Sequence, residues 1–105
     1  MKYITFTVPC YNSQDYMRHC IDNLVAAGDD IEVIIVNDGS KDDTGKIAAE
    51  YENKYPNIVK AIQKENGGHG SGVMAGIHHA KGIFYKVVDS DDWIETKDVL
   101  DMVNL

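Results

Sequence analysis

Ile31-Glu32-Val33-Ile34-Ile35-Val36-Asn37-Asp38-Gly39-Ser40 is an almost continuous apolar run that ends in four small or polar residues. A run of this kind marks a strand covered on both faces, the situation of a parallel sheet, and its polar end marks a tip open to ligand or solvent. On its N-terminal side, Tyr3 to Val8 reads as a first strand closed by Pro9, which cannot continue a central ladder. Tyr11-Asn12-Ser13 then supplies a turn and a helix N-cap. Tyr16, Met17, Cys20, Ile21, Leu24 and Val25 recur at helical spacing until Gly28. On its C-terminal side, Ser40 and Asp43 resemble a capping box with the shorter acid, and Ile47, Ala48 and Tyr51 carry a second helix as far as Pro56.

Further on, Ile58 to Ile62 is a short third strand, followed by a loop over 65–72 with glycines at 67, 68, 70 and 72. Val73 to Ala80 reads as a third helix, Ile83 to Val88 as a fourth strand, and Thr96 as the cap of a last helix bearing Val99, Leu100 and Val103. Strict alternation of this kind predicts an α/β fold. The expected form is a Rossmann-like three-layer α/β/α arrangement with a mostly parallel sheet of about four strands. In such sheets ligands bind outside the carboxyl ends of the strands, where strand order reverses. Segments 9–12, 37–40, 66–72 and 89–92 all follow strands, so they are expected to converge on one edge.

With 105 residues the chain is expected to form a single domain, 1–105. A net charge of −7 argues against a protein that tracks nucleic-acid phosphates and against a surface resting on anionic lipid. Cys10 and Cys20 do not make a disulfide framework, the Met1-Lys2-Tyr3 start runs directly into strand sequence with no leader, and no apolar run is long enough to span a membrane. A reducing, cytoplasmic setting is expected.

The sharpest chemical signal is Lys86-Val87-Val88-Asp89-Ser90-Asp91-Asp92-Trp93, in which a strand stops at three carboxylates. Mutually repelling charges at a strand mouth are accounted for by a cation among them, and an all-oxygen donor set selects Mg2+ or Mn2+. A strand-to-helix turn is the plainer explanation, since Asp and Ser favour both turns and first helical turns.

Taken together, four stretches resemble the nucleotide-binding half of a family 2 glycosyltransferase with the GT-A fold. They are Val8-Pro9-Cys10-Tyr11-Asn12, Val36 to Thr44, Asn66-Gly67-Gly68 with Ala75-Gly76-Ile77 and Ala80-Lys81-Gly82, and Val88 to Trp93. The resemblance implies a nucleotide-sugar site formed by Pro9, Tyr11, Asn12, Asp38, Gly67, Gly68, Asp89 and Asp91. It implies a DxD motif in which Asp89 or Asp91 reaches the ribose, while Asp91 or Asp92 ligates Mn2+ or Mg2+. Asp38 can accept a hydrogen bond from the imide N–H of uracil, which cytosine does not offer, so a UDP-sugar is the expected donor.

Trp93 walls the site or is simply packed. His69, Lys64 and Lys86 are further phosphate candidates, with a solvated loop histidine and snorkelling lysines as the plainer readings. His78 and His79, adjacent on a helix, point apart, His19 is expected at the surface, and Asp42 and Asp43 are expected to cap the second helix. Gly72-Val73-Met74 stands where the family commonly has Ala-Arg-Asn, so that contact is not carried over. The acceptor-binding part and the general base are expected beyond residue 105. The acceptor would be a glycan or a lipid-linked sugar in surface polysaccharide synthesis, and the chain alone is expected to bind donor, to transfer nothing and to self-associate.

Two other functions compete. A non-catalytic nucleotide-binding module fits the same residues. A NAD or FAD domain is suggested by Gly70-Ser71-Gly72-Val73-Met74-Ala75, but seven residues separate that fingerprint from Ile62, and it lies in the third β-α unit instead of the first. Ser71 lacks the flanking glycines of a nucleophile elbow.

Overall fold

The structure is a computed structural model that describes residues 2–67 and 69–103, the side chains of 69–72 and 77 excepted. Among the described residues eight elements alternate: β1 Ile4–Cys10, α1 Met17–Val25, β2 Ile31–Asp38, α2 Thr44–Lys54, β3 Val59–Lys64, α3 His69–His79, β4 Phe84–Val87 and α4 Thr96–Val103. The four strands form one sheet in the order β3-β2-β1-β4, parallel throughout. The chain steps outward from β1 to β3 and then returns past β1 to lay down β4, so strand order reverses between β1 and β4.

Residue alternation along the strands sorts the two faces. Phe6, Val8 and Cys10 of β1 and Val33 and Ile35 of β2 join Met17, Cys20, Ile21, Leu24, Ile47, Ala48, Tyr51 and Val99 in the main core, which places α1, α2 and α4 on one face. Thr5 and Thr7 point to the other face, where α3 lies. There a Cβ on Gly76 would stand 2.3 Å from the Thr7 side chain, so helix and strand approach as only glycine allows. The buried Glu32 ties this layer down. Its Oε1 accepts from Thr5 Oγ1 at 2.9 Å and from Lys81 N at 2.8 Å, while Thr5 Oγ1 accepts from Gly82 N at 2.8 Å.

Several boundaries differ from the sequence expectation. β1 does not stop before Pro9 but pairs with β2 through Pro9↔Val36 and Cys10↔Asn37. The Thr7 carbonyl accepts from Val88 N at 2.9 Å, so Thr7 faces β4, and Pro9, two residues on, faces the same way beyond the paired end of that strand. The missing proline N–H therefore costs no ladder bond. β2 includes Asn37 and Asp38, β3 starts one residue later and ends two later than the expected span, and β4 is shorter than expected by one residue at each end. α1 begins at Met17, because Ser13 is buried in a turn whose carbonyl accepts from both Tyr16 N and Met17 N. The N-cap residue of α2 is Asp43, which makes no side-chain cap bond; the carboxylate that accepts from the Thr44 amide and hydroxyl is that of Asp42, so the expected Ser40 and Asp43 capping box is replaced by Asp42 beside Asp43. α3 starts at His69, so much of the expected glycine loop is helix.

Candidate nucleotide-sugar site

The carboxyl ends of all four strands are stitched together by hydrogen bonds. Asn12, held at a left-handed φ of 49°, donates its amide to Ser40 Oγ at 2.9 Å and accepts from Lys41 N at 2.9 Å. The adjacent Ser13 amide donates to Thr44 Oγ1 at 2.7 Å, and the Ser13 hydroxyl bonds Ser90 Oγ at 2.8 Å. Asp38 Oδ1 accepts from Gly67 N at 2.8 Å and from Lys64 Nζ at 2.7 Å, which fastens the loop after β3 to the tip of β2. Next to it Gly39, at φ 68°, lies so close to Asn66 that a Cβ would meet its backbone N at 2.6 Å.

A cavity of about 400 Å3 opens at the reversal point, lined by Pro9, Tyr11, Ser13, Tyr16, Asp89, Ser90 and Asp91. The exposed rings of Tyr11 and Tyr16 form its apolar side and the carboxylates its charged side. Carboxylate oxygens of Asp89, Asp91 and Asp92 all lie within 4.8 Å of one another, on exposed side chains. A donor set made only of carboxylate oxygens fits a hard divalent ion such as Mg2+ or Mn2+. Beneath this stretch lie two buried thiols. Cys20 Sγ donates to the Asp89 carbonyl at 3.8 Å, and Cys10 lies beside Ser90 and Ser13. Burial pushes both thiols up to about 12, those serine hydroxyls drawing Cys10 part of the way back.

Of the residues singled out from sequence, Pro9, Tyr11, Asp89 and Asp91 therefore share one cavity, with Asp92 in the adjoining carboxylate cluster. Asp38 and Gly67 form a second group one strand away, and Asn12 bridges toward it through Ser40. Gly68 and the His69 side chain lie outside the described residues. Lys64 is committed to Asp38, and Lys86 lines a different recess with Tyr3, Phe84 and Met102. Trp93 is 52% exposed, with its ring edge-on to the exposed His19 and its Nε1 donating to Glu95 at 3.2 Å, so it is not a core residue. Sequence reasoning missed Tyr16, placed there on the buried stripe of α1, and missed Ser13 and Ser90. Only the two-residue alternation about Ser90, which turns it inward while its aspartate neighbours turn out, was available as a signal.

An all-parallel sheet of this order with helices on both faces is the class of fold found in GT-A glycosyltransferases. The crystal structure of S. aureus TarS 1-349 matches with a TM-score of 0.84 at 33% identity, covering 99% of this chain and 32% of that one. Its complex with UDP-GlcNAc matches at 0.83 and 32%, covering 99% and 30%. The mannosyltransferase PcManGT from Pyrobaculum calidifontis, in complex with GDP-Man and Mn2+, shares the fold at a TM-score of 0.81 and 22% identity, covering 96% and 30%. EpsH of Bacillus subtilis, named as a glycosyltransferase, is 45% identical over 93 residues, which are 88% of this chain and 27% of that protein. The model of glycosyl transferase family 2 matches residues 5–105, and the chain belongs to that family. It spans about a third or less of the length of each of these relatives.

Proposed function

We propose that this chain is the donor-binding part of a glycosyltransferase that takes a nucleoside diphosphate sugar, a UDP-sugar, at the cavity between the ends of β1 and β4. The observation that carries this reading is the pairing, in one cavity, of Pro9 and Tyr11 with a cluster of three aspartates at the reversal of strand order. The TarS complex with UDP-GlcNAc supports it.

The chain's own residues divide the work. Pro9 and the Tyr11 ring offer a flat apolar surface to the base. Asp38 contributes an acceptor for the uracil imide and, through Gly67, sets the loop that approaches the donor. Asp89 or Asp91 reaches the ribose, and Asp91 and Asp92 hold Mn2+ or Mg2+. When bound, that ion offsets the negative charge gathering on the diphosphate as the sugar–oxygen bond breaks. Lys64 pairs with Asp38 in this arrangement. The acceptor in this reading is a glycan or a lipid-linked sugar.

Titration of UDP by calorimetry in Mn2+ buffer and in EDTA tests the reading. Wild type should bind markedly better with Mn2+, and Asp91→Asn should lower the affinity in Mn2+ by about tenfold or more, since it removes one ligand and one charge. Equal affinity for both proteins in Mn2+, or no effect of EDTA, defeats the ion site.

A further inference from the structure

The Ser13–Ser90 contact joins residues 77 apart in sequence, and both side chains are buried, 1% and 8% exposed. The two hydroxyls meet at 2.8 Å out of water and tie the two segments together, Ser13 Oγ also donating to the Tyr11 carbonyl at 3.3 Å within its own turn. On one side, Ser13 Oγ also bonds the Tyr11 amide at 3.2 Å, and the Ser13 amide reaches Thr44, whose hydroxyl donates to Asp42 at 2.5 Å. On the other side, Ser90 stands between the exposed Asp89 and Asp91, and the Cys20 thiol holds the Asp89 carbonyl from below.

We infer that the buried Ser13–Ser90 pair is a positioning link that makes nucleotide binding at Tyr11 and cation binding at the aspartates mutually dependent. The inference rests on the donor-binding reading above and gives a role to two residues of the cavity wall whose hydroxyls are turned toward each other. Because the bond holds the Tyr11 turn and the Asp89–Asp92 segment to one arrangement, a ligand seated on either side acts on a place the other shares. The link is short and neutral, and no water need lie between its two halves.

The test measures UDP affinity by calorimetry with and without Mn2+ for wild type, Ser13→Ala, Ser90→Ala and the double variant, with a thermal melt of each. The readout is the ratio of the two affinities, which a loss of stability alone leaves unchanged. Each single variant is expected to cut that ratio about fivefold or more, and the double variant to cut it no further, because one link is broken once. The remaining hydroxyl of each single variant keeps a local partner, Ser13 on the Tyr11 backbone and Ser90 beside the Cys10 thiol, so the variants are expected to fold. An unchanged ratio in variants of a wild type that responds to Mn2+ overturns this inference alone. So does a uniform weakening with and without Mn2+, or a double variant that does not fold. Wild type that binds no UDP, or binds it with no response to Mn2+, overturns the donor-binding reading and this inference with it.

Discussion

Asp38 shows how much of a site residue's work is structural. Its side chain is buried, 7% exposed, and its Oδ1 carries both the Lys64 ammonium and the Gly67 amide. Such a carboxylate tolerates burial only while its partners remain. Lys64→Met should therefore lower stability by about 3 kcal/mol, and adding Asp38→Asn should recover part of that, both read from urea unfolding. A Lys64→Met protein as stable as wild type would show the pair to be dispensable. In the sequence Asp38 was visible as a polar tip, whereas its partner 26 residues on was not, because no local pattern announces a contact between adjacent parallel strands. From sequence, Lys64 consequently reads as a phosphate-binding candidate or a snorkelling side chain.

At the scale of elements, the packing of α3 on β1 is set by an absence of side chain. A Cβ on Gly76 would fall 2.3 Å from Thr7 Cγ2 and Oγ1, and Thr7 Oγ1 is itself buried without a hydrogen-bond partner among the described residues. Gly76→Ala should destabilise by about 2 kcal/mol despite alanine's better helix propensity, because the helix must lift from the sheet. Thr7→Ala in the same chain should restore part of the loss, by denaturant titration, since it removes the two nearest atoms and an unsatisfied hydroxyl but leaves the residue 7 Cβ 2.9 Å from the new methyl. Element type was legible in the hydrophobic periods, and the ends were not. Pro9 stayed inside β1 because β4 is short, and α1 started late because Ser13 is engaged with Thr44 and Ser90, two circumstances set by distant residues.

For the molecule as a whole, the strand-helix alternation already stated the architecture, and the gathering of four strand tips followed from parallel topology. What could not be read was which tips bond to which. The core also makes the protein sensitive to alkali. Cys10 and Cys20 are raised from 9.0 to about 12 by burial, and Tyr51 is raised by burial and by its bond to Asp22. A raised folded value means that the stabilising protonated form is fully present below the unfolded value and is lost as pH climbs toward the folded one. Unfolding midpoints should hold steady up to about pH 9 and fall above it, and alkylation of either thiol near pH 8 should be slow unless urea is present. Rapid alkylation of the folded protein would contradict the burial.

The strand order sets a timetable as well. β1, made first, sits between β2 and β4, and its second neighbour arrives some eighty residues later through Ile4↔Phe84 to Thr7↔Val87. Until then β1 and β2 can zip together while one flank of β1 remains bare, and Ser13 has no Ser90 to meet. Such sequence-distant closure is the slow step of folding for topologies of this kind. The cavity thus depends on the strand made last, and a chain halted before residue 84 would carry Tyr11 and Asp38 but have no β4 side on which to build a site.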